Sequence, residues 1–445
     1  MARSHETLVA ELSELIAIPS ISADSAHGAD VQRAAEWVVA RIRAAGGEAE
    51  VLDWRGSPLA IGEVRASTGA ESAPTILVYA HFDVQPPDPL DLWETPPFEL
   101  TERDGWLHAR GIADDKAHLF MLLDAATSLA AAGELPINVR FACDGEEETG
   151  GDSIVEWLEQ DERGADAAIV LDGGMLRRDV PAVEIGLRGV CYFHVTVRTG
   201  ERDLHSGMYG GVALNALHAL NLALAGVLAG PNGLLPEPLR AGLTPPTEAE
   251  LASWAQLPSG AEEVAGLGAR AKDPSALGEF YVRTWAEPAV DINGIEGGSP
   301  RLQKTVIPVE ASANVSMRLA PGQQTSVIVP EFQRLVREAA PAGADVDVQL
   351  WTSCEPGLVA PDSPAIRIAQ DVFEETVGTR PLLIRTGGSI PIVTTFTSRG
   401  IPAIVTGFSL SESNVHSPNE RIPAEYLDLG ARTIRELFLR LAQLG

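Results

Sequence analysis

Acidic and imidazole side chains occur in five short stretches of this chain, each following an apolar segment or beginning a helix. The clearest is LVYAHFDVQPP at residues 77–87, where an apolar run ends in His81 and Asp83. Residues two apart on an extended strand point to the same side, so these two side chains are expected to be neighbours. An isolated pair of this kind is as often an incidental strand end as a functional site. Its meaning therefore depends on the other four stretches.

Those four stretches contain the remaining candidate metal ligands. They are Asp114 in RGIADDKAH, the glutamates of CDGEEETGG, Asp172 in IVLDGG and His416 in SNVHSPNER. Each has an ordinary explanation by itself: a charged helix start, a solvated acidic turn, a turn before glycines or a surface loop. In a parallel sheet, however, the carboxyl ends of the strands meet at one edge, where active sites form. Two imidazoles and several carboxylates at that edge would suit zinc, or manganese if oxygen ligands dominate, and their number indicates two metal ions.

The first 180 residues alternate between helix and strand patterns. The segments VQRAAEWVVARIRAAGG and DKAHLFMLLDAATSLAAAG read as helices that end at glycine. The segments TILVYA, INVRFAC and AAIVL have the length and composition of buried strands. This order predicts an α/β fold, with a mostly parallel or mixed sheet and helices on both faces.

The middle of the chain has a different pattern. CYFHVTVRT and ASANVSMRLA alternate in the manner of half-exposed antiparallel strands, and a loop-rich stretch lies between them, at about 228–300. The tail then returns to an α/β pattern. This order predicts a catalytic domain formed by residues 1–185 and 387–445. An inserted α+β domain, which would act as a lid and dimerisation domain, is predicted over residues 186–386.

Composition excludes several classes of protein. A chain of 445 residues with 45% hydrophobic content is long enough for two domains. The formal net charge of −29 argues against a nucleic acid or an anionic membrane as partner. No apolar run approaches the roughly 18 residues of a membrane helix, and the N-terminal residues lack the apolar core of a signal peptide. The three cysteines are too few for a disulfide scaffold, which favours a reducing cytoplasm.

Taken in order, the motifs of the chain resemble those of a known enzyme family. HFDVQPP, RGIADDK, EEETG, LD, DLHSGMYGG, KTVIP, GGSIP and HSPNE are similar to the motifs of the di-metal aminopeptidase and carboxypeptidase family, over about residues 10–440. That family includes carnosinase-type cytosolic dipeptidases, glutamate carboxypeptidase, succinyl-diaminopimelate desuccinylase and aminoacylase. The resemblance is strongest to the carnosinase-like, non-specific dipeptidase branch, because RDLHSGMYGG, QKTVIP and GGSIP occur together.

The resemblance implies a set of ligands for two metal ions. The set would be His81 and Asp172 on one ion, Glu148 and His416 on the second, and Asp114 bridging both. It also implies a cis peptide bond between Asp114 and Asp115. The departures from the family pattern, DDKA for DDKG and ETGG for ESGS or EAGS, remove no ligand and bear first on the substrate pocket.

The resemblance also implies the residues that support the reaction. Asp83 would orient the imidazole of His81. Glu147 would be the general base that takes a proton from a water shared by the two metal ions. The three consecutive glutamates leave a second register, Glu146 and Glu147, as the alternative to Glu147 and Glu148.

Further residues are implied to contact the substrate. His205 in RDLHSGMYGG would stabilise the oxyanion in the neighbouring subunit, across a homodimer interface formed by the inserted domain. Thr305 and Arg318 would hold the terminal carboxylate of the substrate, for which the planar guanidinium fork is well suited. Ser389 in TGGSIP would contact the substrate from the main domain.

These inferences predict a dinuclear metallopeptidase that cleaves dipeptides or other short peptides with a free C-terminal carboxylate. An N-acyl-amino-acid deacylase or a carboxypeptidase with the same chemistry is the alternative. A metal-binding dimer without catalysis would lack a ligand or a base, whereas all candidates are present. A generic α/β protein with scattered acids would bind no stoichiometric metal.

Overall fold

The computed structural model describes residues 3–387 and 391–445, and the chain divides into two compact units. The first unit comprises Met1–Ile185, Val359–Leu383 and Thr395–Gly445, and the second comprises Gly186–Leu358 and Ile384–Thr394.

The first unit is built around a mixed sheet. In spatial order its strands are Glu48–Trp54, Ser57–Val64, Asn138–Asp144, Thr75–His81, Ala167–Val170, Ala403–Val405 and Val180–Leu187, and Met175–Arg177 pairs with the last of these. The four central strands run parallel to one another, and the flanking pairs are antiparallel. The central strands are buried along nearly their whole length, as expected of parallel strands covered on both faces. The predicted α/β fold class with a mixed sheet is confirmed.

Helices of the first unit pack around this sheet. They are His5–Ile16, Gly28–Ala44, Ala117–Ala131, Ser153–Gln160, Pro364–Val377 and Ala424–Leu441. Most residues of Ala117–Ala131 are apolar and buried, and this helix packs against Ala424–Leu441. A Cβ at Gly430 would overlap Met121, so glycine permits the close approach of these two helices. A smaller sheet, formed by Arg421–Pro423, Trp106–His108 and Thr101–Arg103, completes the unit.

The second unit contains a four-stranded antiparallel sheet. Its strands, in spatial order, are Ala289–Glu296, Glu310–Leu319, Gly189–Arg198 and Asp345–Cys354. The two segments predicted as alternating strands pair directly with each other in its centre. Their buried residues form one core with the helices Ala216–Ala225 and Thr325–Ala339, where Phe193 stacks on Phe332 at a ring-centre distance of 3.9 Å.

The second unit also has shorter elements. They are the strands Leu204–His205, Val306–Ile307 and Gly357–Leu358 and the helices Ser206–Tyr209, Glu248–Trp254 and Gly260–Gly266. Three elements cross the division between the units, namely the strands Val180–Leu187 and Leu382–Thr386 and the helix Pro391–Ser398.

The division of the chain differs from the predicted boundaries in two places, because the second unit also extends to Thr394, beyond the predicted boundary at residue 386. The sequence pattern assigned residues 186–386 to the inserted domain, whereas Val359–Leu383 belongs to the first unit. This segment carries the amphipathic helix Pro364–Val377, whose buried face packs against Ala424–Leu441. Its apolar stripe therefore completes the core of the first unit.

Candidate metal centre

Three neighbouring parallel strands deliver candidate side chains to the same edge of the first unit's sheet. His81 is the last residue of Thr75–His81, and the adjacent strand Asn138–Asp144 leads directly into the glutamate-rich stretch. Asp172 lies two residues beyond Ala167–Val170, on the other side of the His81 strand. The sheet topology therefore brings together residues that lie far apart in the sequence.

The five predicted metal ligands form two overlapping clusters. His81, Asp114 and Asp172 form one, and Asp114, Glu148 and His416 form the other, with the potential ligand atoms of each cluster within 4.8 Å of one another. Asp114 belongs to both. Its Oδ1 lies 2.9 Å from Nε2 of His81, and its Oδ2 lies 2.9 Å from Nε2 of His416. Nε2 of His416 also lies 3.0 Å from Oε2 of Glu148.

The loop before Asp114 allows this carboxylate to reach both clusters. Gly111 has a φ of +80°, which glycine adopts without steric cost, and a Cβ at this position would overlap Val84. The peptide bond between Asp114 and Asp115 is cis, as the family resemblance implied.

Burial and charge in the clusters shift the pKa of four of these groups. Burial tends to raise the pKa of Asp114, but hydrogen bonds with His416 and His81 outweigh burial and lower this pKa. Hydrogen bonds with Asp114 and Glu148 raise the pKa of His416 to about 10. Burial tends to lower the pKa of His81, but its bonds to carboxylates raise this pKa well above the ordinary value. Burial and the Asp114 charge raise the pKa of Asp172.

The raised pKa values of His81 and His416 have a common cause, which is the negative charge of the neighbouring carboxylates. Three carboxylates share the site with two imidazoles, and the carboxylates favour a positive charge on both rings. Divalent cations would supply that positive charge. Oxygen and imidazole nitrogen ligands suit zinc or manganese, so the residues fit a pair of such ions.

Asp83 contacts both clusters without belonging to either. Its side chain is fully buried, and Oδ1 lies 3.3 Å from Nδ1 of His81. Its Oδ2 accepts a hydrogen bond from the backbone N–H of Glu148 at 3.1 Å. This contact is made with the ring nitrogen remote from Asp114, and the orienting role of Asp83 stays a prediction.

The three consecutive glutamates have different surroundings. Oε1 of Glu146 accepts a hydrogen bond from the backbone N–H of Ser153, at the start of a helix. The carboxylate of Glu148 lies with Asp114 and His416. Glu147 lies between these two residues in the sequence, and burial raises the pKa of its carboxyl group. This arrangement favours the Glu147 and Glu148 register over the alternative.

Sequence reasoning missed Gln85, which contacts the second cluster. Its Nε2 donates to Oε2 of Glu148 at 2.9 Å and to the backbone oxygen of Glu148 at 3.1 Å. Its backbone N–H donates to Oε1 of Glu148 at 3.2 Å. The signal was present, because Gln85 is part of the motif HFDVQPP.

A second missed network connects the strand tip to residue 408. The backbone N–H of Phe408 donates to Nε2 of His118 at 3.0 Å, so the proton of this neutral ring is on Nδ1. Nδ1 donates to Oδ1 of Asp115 at 2.9 Å, and Oδ2 of Asp115 accepts from the backbone N–H of His81 at 3.3 Å. The residue pattern DDKAH contains both side chains but gives no indication of the contact with Phe408.

The candidates outside the first unit have their own local geometry. His205 and Thr305 are neighbours, because the strand Leu204–His205 pairs with Val306–Ile307 and Ser206 donates its backbone N–H to Thr305 O at 3.0 Å. Arg318 lies in the central strand Glu310–Leu319. Ser389 lies outside the described residues.

Comparisons with known proteins agree with this geometry. The sequence pattern of "Peptidase family M20/M25/M40" matches residues 77–440. The Beta-Ala-His dipeptidase of Homo sapiens is 29% identical over 382 residues, which cover 83% of this chain and 75% of that protein. The Cys-Gly metallodipeptidase of Schizosaccharomyces pombe is 28% identical over 443 residues, or 94% of this chain and 92% of that protein.

Solved structures show the same fold over nearly the whole chain. The crystal structure of human carnosine dipeptidase 1 superimposes with a TM-score of 0.72 at 25% identity, covering 99% of this chain and 96% of that chain. An M20 family metallo-carboxypeptidase from Sulfolobus solfataricus gives a TM-score of 0.79 at 24% identity, covering 98% of this chain and 99% of that chain.

The family resemblance inferred from the motifs is thereby confirmed, and so is the prediction of an enzyme. The part of the chain matched by the family pattern includes all five residues of the two clusters. The chain belongs to peptidase family M20/M25/M40 and is a metallopeptidase.

Proposed function

We propose that this enzyme hydrolyses dipeptides, or other short peptides with a free C-terminal carboxylate, using two divalent metal ions. Zinc is the proposed native metal, with manganese as the alternative. The observation that carries the proposal is the pair of ligand clusters that share Asp114. The two relatives compared above, a Beta-Ala-His dipeptidase and a Cys-Gly metallodipeptidase, support dipeptides as the substrate class.

The proposed ligands of the first ion are His81 and Asp172, those of the second are Glu148 and His416, and Asp114 bridges both. Two ions bound in this way would polarise the scissile carbonyl and lower the pKa of a water molecule. Asp83 keeps the His81 ring in orientation through the contact at Nδ1.

Glu147 is the proposed general base. Its carboxylate would take the proton from the attacking water and deliver it to the leaving amine nitrogen. The position beside ligand Glu148 supports this role, and so does the raised pKa, because a carboxylate with a raised pKa is a stronger base and accepts the proton of water more readily. Glu146 is less suited, because its carboxylate is bonded to the backbone N–H of Ser153.

The proposed carboxylate recognition depends on the second unit. Arg318 and Thr305 would hold the C-terminal carboxylate, Ser389 would add a contact, and a free carboxylate would be required for cleavage. Burial, together with the Arg318 charge, lowers the pKa of Arg188 to about 10, whereas the charge of Asp291 acts in the opposite direction.

We also propose that the enzyme is a homodimer in the cytoplasm, with His205 stabilising the oxyanion in the neighbouring subunit. All three cysteines are free, which is consistent with a reducing compartment. Among the described residues, no helix has both the length and the apolar content needed to cross a bilayer. A fully active monomer in solution would refute the role of His205 across an interface.

The test of the function combines metal analysis with a substrate panel. Protein purified without chelator should contain about two metal ions per chain. It should cleave free dipeptides but not the same dipeptides amidated at the C-terminus, and N-acetylated amino acids should be poor substrates. Preferred cleavage of N-acetylated amino acids would move the function to deacylation. No metal and no turnover after zinc or manganese is restored would refute the proposal.

Replacing Glu147 by glutamine tests the general base. Glu147→Gln should keep the metal content and lose about 10²–10⁴-fold in kcat, because the amide cannot accept the proton. Glu146→Gln is the matched control, with the same change one residue away, and should retain most of the activity. Loss of metal in Glu147→Gln, together with loss of kcat at normal metal content in Glu146→Gln, would establish the Glu146 and Glu147 register.

A further inference from the structure

A carboxylate outside the ligand clusters lies directly beneath the loop that carries Asp114. The side chain of Glu420 is 1% exposed, and each of its oxygens accepts two hydrogen bonds. Oε2 accepts from Nη1 of Arg110 at 2.6 Å and from the backbone N–H of Gly111 at 2.9 Å. Oε1 accepts from the backbone N–H groups of Ala113 at 2.8 Å and Asp114 at 3.2 Å. One side chain therefore satisfies three backbone donors within four consecutive residues.

These contacts connect three segments that carry proposed ligands. Glu420 lies four residues after His416 in the same chain segment. Its partner Arg110 is also 1% exposed and donates from Nη2 to the backbone oxygen of Pro86 at 3.2 Å. Pro86 lies in the segment that follows His81. The ion pair thus lies at the junction of the chain segments that supply His81, Asp114 and His416.

We propose that Glu420 is a positioning residue for the bridging ligand. It fixes the backbone from Gly111 to Asp114, so that the two oxygens of Asp114 face His81 and His416 at the same time. The inference rests on the proposed two-metal function and extends it to Glu420. Among the hydrogen bonds described above, the side chain of Glu420 reaches a proposed ligand at the backbone N–H of Asp114.

The role has a consequence that separates it from ordinary structural support. Asp114 is the member common to both clusters, so a displaced Asp114 weakens both metal sites together. A residue that contacts a single outer ligand would weaken one site. A residue that only stabilises the fold would lower the free energy of unfolding and leave the metal affinity of the folded protein unchanged.

The test uses Glu420→Gln in the full-length protein after removal of metal by chelator. Glutamine has the same size, but its amide group presents N–H to a pocket filled by donors, so the loop must shift. Titration with Zn²⁺ in the presence of a competing chelator should show both sites weakened by about 10–100-fold. The visible absorption spectrum of the protein loaded with Co²⁺ should also change, because the bridging ligand has moved.

Two further variants keep the inference testable. Glu425→Gln makes the same change in a side chain that is 71% exposed, and it should leave the affinity and the Co²⁺ spectrum unaltered. If Glu420→Gln does not fold, Arg110→Lys provides the test, since lysine keeps the charge but lacks the two-nitrogen fork with which Arg110 bonds Glu420 and Pro86. Both metal sites of the Arg110→Lys variant should weaken in parallel, by a smaller factor than is expected for Glu420→Gln.

The outcomes distinguish this inference from the proposed function. A folded Glu420→Gln protein with wild-type affinity at both sites, or with one weakened site only, would overturn the positioning role. The dipeptidase proposal would survive that result if the wild type cleaves dipeptides. Conversely, a wild type with two metals and no dipeptide turnover would refute the function, while parallel weakening in Glu420→Gln would uphold the positioning role.

Discussion

Replacing Gln85 by methionine should weaken one of the two proposed metal sites and leave the other intact. The side-chain amide of Gln85 donates to Oε2 of Glu148 at 2.9 Å and to the backbone oxygen of the same residue at 3.1 Å. Glu148 belongs only to the cluster with Asp114 and His416. The substitution removes both side-chain bonds, whereas the backbone N–H of Gln85 still donates to Oε1.

The size of the effect follows from these contacts. A hydrogen bond to a charged group contributes about 1.5–3 kcal/mol, and the bond to Oε2 is of this kind. Since about 1.4 kcal/mol corresponds to a tenfold change in a dissociation constant, the second site should weaken by about 10–100-fold. Methionine is unbranched and similar in length to glutamine, so it should fill the space without a large cavity.

The assay is a titration of chelator-treated protein with Zn²⁺, fitted to two sites. Wild type and variant should share the dissociation constant of one site and differ at the other. Gln32→Met is the control, because Gln32 is an exposed glutamine that donates to another glutamate, Glu36, at 3.0 Å. Equal weakening of both sites would show that the second cluster is not an independent site. Unchanged affinity at both would show that Gln85 does not orient Glu148.

Two further predictions concern stability. Burial tends to raise the pKa of Asp161, but its two hydrogen bonds with Arg140, at 2.5 and 3.0 Å, outweigh burial and lower it. The stabilisation is therefore complete above the unfolded pKa of about 3.9 and is lost as pH falls through the lower folded pKa. Asp161→Asn should lower the free energy of unfolding in urea by about 3–5 kcal/mol at pH 7 and by less in acid. Glu71→Gln, at an exposed ion pair, should change the free energy of unfolding little. If it lowered this free energy as much as Asp161→Asn does, the stabilising role assigned to the Asp161–Arg140 pair would be contradicted. In the second unit, Phe332→Ala should lower the free energy of unfolding by about 3–5 kcal/mol, because it removes a buried ring stacked on Phe193. A loss below about 1 kcal/mol would show that this core refills the space.

Much of the fold was predictable because its signals are local. The period of the apolar residues distinguishes the helices from the strands, and the parallel central strands are short and apolar throughout. The predicted strand before His81 is observed as Thr75–His81, and its two parallel neighbours are the other predicted strands. The boundary of the second unit was less predictable, because an amphipathic helix does not reveal which core its apolar face joins. The helix Pro364–Val377 is an example, because its apolar face joins the core of the first unit.

The clusters were predictable for a different reason. Few side chains bind zinc or manganese, so His81, Asp172 and His416 stood out by type, and parallel strand ends limit where such residues can meet. The shared position of Asp114 followed only from the family resemblance. Its two contacts, with His81 and His416, join segments that are 33 and 302 residues away in the chain. No periodicity encodes such distances.

The hydrogen bonds around the clusters were missed because they pair side chains with backbone groups of remote segments. Three of the hydrogen bonds nevertheless follow one rule, in which a buried carboxylate accepts the backbone N–H of a proposed ligand. The three pairs are Asp115 with the N–H of His81, Glu420 with that of Asp114 and Asp83 with that of Glu148. Ligands at strand ends and in loops lack the ladder bonds that fix a strand interior, so their backbone needs another acceptor. A carboxylate is the strongest acceptor available, and each of these three also contacts an imidazole or a guanidinium group. Each of these carboxylates thus has a second polar partner, while it also fixes the backbone of a proposed metal ligand.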